Sequence, residues 1–405
     1  MSHAAASTIR RNTGAFRRMS LALFLAGFST FSLLYCVQPL LPEFADHFKV
    51  TPAESSLALS LSTGALAVAI VAASALSQAI GRRGLMFASM GLAALCNLGT
   101  AVASDWSTVL ALRTLEGLAL GGVPAVAMAY LAEEMEPADL AGAMGLYLAG
   151  TAFGAMAGRV GMGLLSEWGG SWRVAMGSIG LLDLIAAVGF VALLPRSRNF
   201  VRQAGFSPGY HLAAWKRHFQ NRELLLLYGA GFCLTAVFVT LFNYVGFRLR
   251  AAPYALTQGQ ASLIFLTFSV GMISSSVAGR LSHRFNARIL LRTGFGLMAV
   301  GVLLTVTSPL LLLVAGIGLV TMGFFLAHAV ASGWVGRRAR GAKGHAAALY
   351  LLFYYLGSSL VGSVGGWFWQ HANWAGVASL AGLLSLIGML LSQALSSQAP
   401  GAFGR

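Results

Sequence analysis

The feature that most limits what this chain can fold into is the recurrence of apolar runs long enough to cross a lipid bilayer. A helix needs about 20 consecutive apolar residues to span the hydrocarbon core, and runs of that length return along the whole sequence. Inside hydrocarbon every backbone N–H and C=O must find a partner within the protein, which leaves helices or a closed barrel. The runs are continuous and do not alternate, so a β-barrel is excluded. Composition agrees. The chain is 57% hydrophobic and 10% charged, where a soluble domain carries about 25% charge. The sequence therefore specifies an all-α polytopic membrane protein.

Charged or Pro/Gly-rich turns divide it into twelve predicted spans: 19–41, 55–79, 84–104, 106–132, 139–166, 172–194, 222–249, 258–282, 288–307, 309–337, 342–370 and 372–396. The first run follows Arg10, Arg11, Arg17 and Arg18 and is too long for the apolar core of a signal peptide, so it is read as a span with the N-terminus in the cytoplasm. On that register 21 of the 27 Lys and Arg residues fall on the cytoplasmic side and four, Lys49, Arg173, Arg248 and Arg250, fall outside. This is the positive-inside pattern, and one miscounted span in the middle would destroy it. It also accounts for the net charge of +15 without a nucleic-acid partner. Trp106, Trp168, Trp172, Trp334 and Trp374 sit near span ends, as an interfacial aromatic belt requires. Cys36, Cys96 and Cys233 each lie in an apolar run, as buried small hydrophobes and not as a disulfide framework.

The longest polar break separates six spans from six. The expected organisation is a cytoplasmic tail (1–18), a six-helix bundle (19–194), a cytoplasmic linker (195–221), a second six-helix bundle (222–396) and a cytoplasmic C-terminal tail (397–405). In the linker Leu212, Trp215 and Phe219 share a helical face turned away from Lys216 and Arg217, which predicts an amphipathic helix on the inner leaflet. The halves repeat. "LSQAIGRRGLM" (76–86) and "LSHRFNARILL" (281–291) are 205 residues apart, "AGF" at 26–28 recurs at 230–232, and "LYL" at 146–148 recurs at 349–351, which carries Gly154 onto Gly357. An even number of spans between the copies makes the repeat parallel, about an axis along the membrane normal. Such a chain resembles the major facilitator superfamily of transporters.

The motifs sharpen that resemblance. The loop between the second and third spans of the superfamily reads roughly G-x-L-x-D-R-x-G-R-R. Here "SALSQAIGRR" keeps Gly81, Arg82 and Arg83, with Gln78 in place of the acid. The second half, "GRLSHRFNAR", keeps Gly279, Arg284 and Arg288, with His283 in place of the acid. Both acids are missing, so the cytoplasmic latch that they help to form in the family must be built differently. In the fourth span "RTLEG" stands for the family's R-x-x-Q-G. In the fifth, Gly145, Gly154, Gly158 and Gly163 fall on the antiporters' glycine frame, with Arg159 in the proline place. Together these are most similar to the acriflavine-sensitivity (YnfM-like) group. The resemblance implies a proton-driven exporter.

Away from the span ends, four full charges lie deep inside predicted spans: Arg113, Glu116, Arg159 and Asp183. At about 1.5 Å per residue they occupy one layer, roughly 10–16 Å below the outer face. Charges at one depth can pair, whereas isolated ones would be prohibitive. The acids are candidate proton carriers. Glu116 is favoured because Arg113 is one turn away and the fourth span lines the family's cavity, and Asp183 is the expected structural partner of Arg159, with Glu116 the alternative. His328, the histidine deep in the tenth span, has chemistry suited to proton handling. Spans one, four, seven and ten line the cavity in the family. This makes Tyr35, Gln38, Phe238, Phe242, Asn243 and Phe324 candidate substrate contacts, joined by Tyr350 and Tyr354 of span eleven. Aromatic walls with few polar groups suit amphipathic or cationic aromatic ligands.

The expected function is proton-coupled export of a small amphipathic or drug-like molecule, in the plasma membrane (a bacterial inner membrane) and as a monomer. The partners would be the bilayer, protons and the substrate. An uptake symporter for a sugar, amino acid or organic acid is the alternative, and a membrane enzyme or sensor the third reading. The sequence has no P-loop, HExxH or nucleophile signature, so it points to no enzyme, cofactor or metal.

Overall fold

The computed structural model describes residues 8–11, 13–136, 138–197, 199, 208–339 and 341–396. The helices of the first half are α1 (Gly14–Tyr35), α2 (Leu41–Phe48), α3 (Pro52–Ile80), α4 (Arg82–Val102), α5 (Trp106–Leu120), α6 (Pro124–Glu134), α7 (Leu140–Trp168) and α8 (Trp172–Leu193). The linker contributes α9 (Pro208–Phe219). The second half contains α10 (Arg222–Arg250), α11 (Gln258–Ser262), α12 (Phe268–Arg284), α13 (Ala287–Val306), α14 (Leu310–Arg338), α15 (Lys343–Leu356) and α16 (Gly362–Ala394).

Helix occupies all twelve predicted segments, and among the described residues ten stretches of helix are long and apolar enough to cross a membrane. The difference has local causes. The fourth segment is cut by a turn at Gly121–Val123 into α5 and α6, with Pro124 opening α6. A proline is tolerated at a helix start, where its missing N–H has no partner to lose. The eleventh and twelfth segments merge into one stretch, Lys343–Ala394. It leaves helical geometry at Ala372 and Asn373, the latter at φ +49°. The first segment also breaks. α1 stops at Tyr35 and a short 3-10 turn, Gln38–Leu40, leads into α2.

The chain divides into two compact units, Met1–Val37 with Val68–Phe206 and Gln38–Ala67 with Ser207–Arg405. In the first, α1 lies against α7 at backbone distance. A Cβ at Gly150 would overlap the carbonyl of Phe24, one at Gly154 that of Phe28, and one at Gly158 would sit 2.8 Å from the Cα of Ser32. The two ladders step by four residues together, the small-residue mode of helix packing in membranes. Around them Met19, Leu23, Met86, Met90, Tyr130 and Phe190 form a buried core.

In the second unit α13 and α14 meet through Gly294 against Gly323 and Gly301 against Gly316. The sequence repeat has a structural counterpart here. Gly357 meets the carbonyl of Phe232 as Gly154 meets that of Phe28, the same two repeat positions in each half. The segment Gln38–Ala67 is held in this unit by hydrogen bonds. Gln38 Nε2 donates to Asn243 Oδ1 (2.7 Å), Ser359 Oγ to the Ser60 carbonyl (2.7 Å) and Gln258 Nε2 to the Pro39 carbonyl (2.6 Å). The linker helix α9 turns only part of its predicted face inward. Trp215 lies 6.4 Å from His345 and Phe219 6.2 Å from Phe353, ring centre to ring centre, while Leu212 is 66% exposed.

Candidate functional site

In the first unit the site starts from the end of a helix. α1 stops at Tyr35, and the last carbonyls of any helix lack intrahelical partners. Water could satisfy them at a surface, but they are buried here. Arg113 of α5 takes that role, donating from Nη1 to the Leu33 carbonyl (3.2 Å) and from Nη2 to the Leu34 carbonyl (2.7 Å). The negative end of the helix dipole favours a cation at this place. The same Nη1 meets Glu116 Oε2 at 2.5 Å across one turn of α5, and both side chains are fully buried. α5 itself is anchored by Asp105, whose carboxylate accepts from the N–H (2.9 Å) and hydroxyl (2.7 Å) of Thr108. Those bonds hold the exposed Asp105 carboxyl below the usual carboxylate range.

Arg159 and Asp183 complete the layer, 1% and 0% exposed. The Arg159 guanidinium lies 4.0 Å from the ring centre of Tyr35, a cation–π contact, and Nη1 donates to the Ala155 carbonyl (2.6 Å). The pairing of Arg159 with Asp183 expected from their common depth is not made. Tyr35 and the α7 backbone hold the guanidinium instead. Asp183 faces Ser29 and Ser32 of α1, whose hydroxyls act on its carboxyl group.

The second unit gathers the aromatic candidates. Phe238 and Phe324 stack at 3.9 Å, Phe238 and Phe242 lie 4.8 Å apart, and Phe324 stacks on His328 at 5.8 Å. His328 Nδ1 is 3.0 Å from the Tyr350 hydroxyl, and the Tyr354 ring is 4.7 Å from the imidazole. The phenylalanines and Tyr350 are buried, whereas His328 and Tyr354 stay partly exposed at the edge. Gln38 and Asn243 spend their polarity on each other, and Asn243 Nδ2 also reaches the Gly362 carbonyl at 3.4 Å.

At the loop between α3 and α4 the missing acid comes from elsewhere in the chain. Arg82 donates Nη2 to Glu133 Oε1 (2.6 Å) and Nε to Oε2 (3.2 Å), a forked pair with the end of α6. Arg83 reaches the Val191 carbonyl, and Gly81 sits at φ +94°, where a side chain would be strained. The side chains of Gln78 and His283 lie outside the described residues. The same α6–α7 loop holds the N-terminal segment, through Ile9 N–H to the Glu134 carbonyl (2.8 Å) and Arg10 to Glu136 (2.8 Å). In the second half Gly279 and Arg284 are exposed and Arg288 half-buried. Of the glycine frame, Gly154 and Gly158 meet α1, Gly163 is buried in α7, and a Cβ at Gly145 would meet nothing within 4 Å. Glu133 was the residue missed by the motif comparison. Its signal is the "EE" pair closing the fourth span.

A membrane-length helical bundle with buried opposed charges and a partly exposed aromatic cluster defines a transporter class of membrane protein. Comparison with known proteins makes this specific. The family model of the Major Facilitator Superfamily matches residues 21–252 and 249–401. The chain is 44% identical to the uncharacterized MFS-type transporter YybF of Bacillus subtilis (95% of each chain covered). It is 42% identical to the inner membrane transport protein YnfM of Escherichia coli (96% of this chain, 92% of that one). A more distant relative, a chloramphenicol resistance protein of Streptomyces lividans, is 28% identical over 63% of this chain and 64% of its own. Among solved structures, the nucleoside transporter NupG superposes with TM-score 0.76 at 14% identity, over 93% of this chain and 99% of that one. The chain belongs to the Major Facilitator Superfamily, and its relatives and fold neighbours are transporters, not enzymes.

Proposed function

We propose that this secondary transporter works by alternating access as a proton-coupled exporter of a small amphipathic or drug-like molecule. Its two six-helix halves would cross the bilayer twelve times, with both termini in the cytoplasm. The observation that carries the coupling is the layer of four buried charges in the first unit, Arg113, Glu116, Arg159 and Asp183. Ionisable groups inside a membrane are costly and mark ion pathways. The aromatic cluster around His328 supports an aromatic or amphipathic substrate, since stacked rings with one polar edge bind by area and orient by a single hydrogen bond. His328 itself is a second place where a proton could be exchanged. Export over uptake is supported by the fifth-span glycine frame and by the distant resistance relative.

The test is transport in vesicles holding a trapped pH dye, with an imposed proton gradient and a panel of cationic aromatic dyes and drugs. Proton movement opposite to ligand is the expected result. Movement in the same direction would replace export by symport, and ligand flux indifferent to the gradient would remove proton coupling.

A further inference from the structure

We infer that the corner where α9, α10 and α14 meet holds the phosphate headgroup of an anionic phospholipid. The inference is independent of what the transporter carries and in which direction. It starts from the sequence. Glu223 is the only acid after Asp183, whereas basic residues recur through the same stretch, among them Lys216, Arg217, Arg222, Arg337, Arg338 and Lys343. The fold gathers several of them around one cavity. It has a volume of about 520 Å³ and is lined by Arg217, Gln220, Asn221, Arg222, Glu223 and Arg338. On the orientation proposed above, this corner faces the inner leaflet.

The walls of the cavity are held in place. Asn221 Oδ1 accepts from the N–H groups of Glu223 (3.0 Å) and Leu224 (3.4 Å) and so caps α10, and its Nδ2 donates to the Arg338 carbonyl (3.4 Å). His218, also in the wall and 2% exposed, sets Nε2 3.2 Å from the Ala342 carbonyl. Arg338 donates to the Ser396 hydroxyl oxygen (2.8 Å) and lies 3.6 Å from Glu223 Oε2, while Glu223 Oε1 accepts from the Ser396 N–H (3.1 Å). The one acid is thus spent on the wall. Arg217 and Arg222 are exposed and pair with no acid among the described residues. Guanidinium groups bind phosphate oxygens through paired N–H donors, and basic pockets on the cytoplasmic side of membrane helices take lipid headgroups. Arginines that only set topology need to stand on one side of the membrane. They do not need a capped corner, a buried histidine and a cavity around them. A lipid, and not a soluble phosphate, follows from α9. Its Leu212 and Phe219 share a helical face and are 66% and 42% exposed, with Lys216 and Arg217 between them in sequence. Such a helix lies in the headgroup layer with its apolar side chains toward the acyl chains. A soluble anion would leave both apolar residues uncovered. A headgroup held by Arg217 of α9 and Arg222 of α10 fastens the linker helix to the second unit.

The experiment titrates the whole protein in detergent with phosphatidylglycerol or phosphatidylcholine of the same acyl chains and counts bound lipid by native mass spectrometry. One phosphatidylglycerol is expected to bind about tenfold more tightly than phosphatidylcholine. Arg217→Gln/Arg222→Gln should bring the two lipids to within about twofold of each other, and each single substitution should give part of that loss. Arg280→Gln/Arg292→Gln removes the same charge from exposed positions outside the cavity and should keep the preference. The site is overturned if the wild-type protein shows no preference. It is also overturned if the two double variants lose the preference equally, because the attraction would then belong to the basic face as a whole. Glycerol 3-phosphate, the headgroup chemistry without chains, separates the sources. If it displaces phosphatidylglycerol at equal concentration, the corner takes a soluble phosphate ester and the lipid assignment falls. Displacement by an equimolar poly-glutamate peptide would assign the corner to an acidic polypeptide, with the same consequence.

Discussion

Arg113 carries two loads that a surface arginine never combines. It neutralises a buried acid and closes the end of a buried helix. Removing one member of a buried ion pair strands the other, at about 3–5 kcal/mol. Replacing both members by apolar residues is often near neutral. The double substitution Arg113→Met/Glu116→Leu would still leave the Leu34 carbonyl open and the Leu33 carbonyl with only the weak Cys36 thiol donor, at about 1–3 kcal/mol for an unmade buried hydrogen bond. Arg113→Met alone is therefore expected to lose about 3–5 kcal/mol, and the double variant to recover part of that but not all. Denaturant titration of the purified protein in detergent orders the three. Equal losses in the single and double variants would show that the cap, and not the ion pair, is the larger contribution. The pairing was legible in the sequence from the i, i+3 spacing. The cap was not, because it depends on where α1 stops, and that is set by a break beyond Tyr35 that hydropathy does not reveal.

At the scale of elements the α1–α7 contact is decided by which glycines face inward. Gly150, Gly154 and Gly158 repeat every four residues and meet α1. Gly145, five residues before Gly150, points about 140° round the helix and meets nothing within 4 Å. Gly154→Ala is expected to cost about 1–3 kcal/mol by overpacking against the Phe28 backbone, with Gly357→Ala behaving alike against Phe232. Gly145→Ala should fall within about 0.5 kcal/mol of wild type. Thermal unfolding in detergent tests the contrast, and a Gly145→Ala loss as large as that of Gly154→Ala would refute it. The glycine frame was thus visible as spacing, but its contact face required the partner helix. The cytoplasmic loop illustrates the same limit. The basic half of the motif stood in one stretch, whereas its acid, Glu133, is 51 residues from Arg82 and becomes a partner only through folding.

For the whole molecule, the parallel repeat and the helical segments were legible because hydropathy and charge sidedness accumulate over hundreds of residues. The membership of Gln38–Ala67 was not. By sequence it belongs to the first half, yet it packs with helices of the second, through Gln38 on Asn243 and Ser60 on Ser359. Those bonds, one between two side chains and one from the Ser359 hydroxyl to the Ser60 carbonyl, lie on the side that the arginine distribution assigns to the outside. In the alternating-access cycle proposed above, opening on that side would require them to part. Gln38→Cys/Asn243→Cys, in a chain whose native Cys36, Cys96 and Cys233 are replaced by alanine, should accept a short bifunctional thiol reagent. The cross-linked protein should then lose ligand movement, and a reductant that cleaves the reagent should restore it. Ser60→Cys/Ser359→Cys is expected to behave in the same way. A cross-linked protein that transports at the uncross-linked rate would show that the segment travels with the second-half helices through the whole cycle. The moving boundary would then lie at Val37–Val68, inside the first half of the sequence, and the six-plus-six repeat would describe how the chain arose and not how it moves.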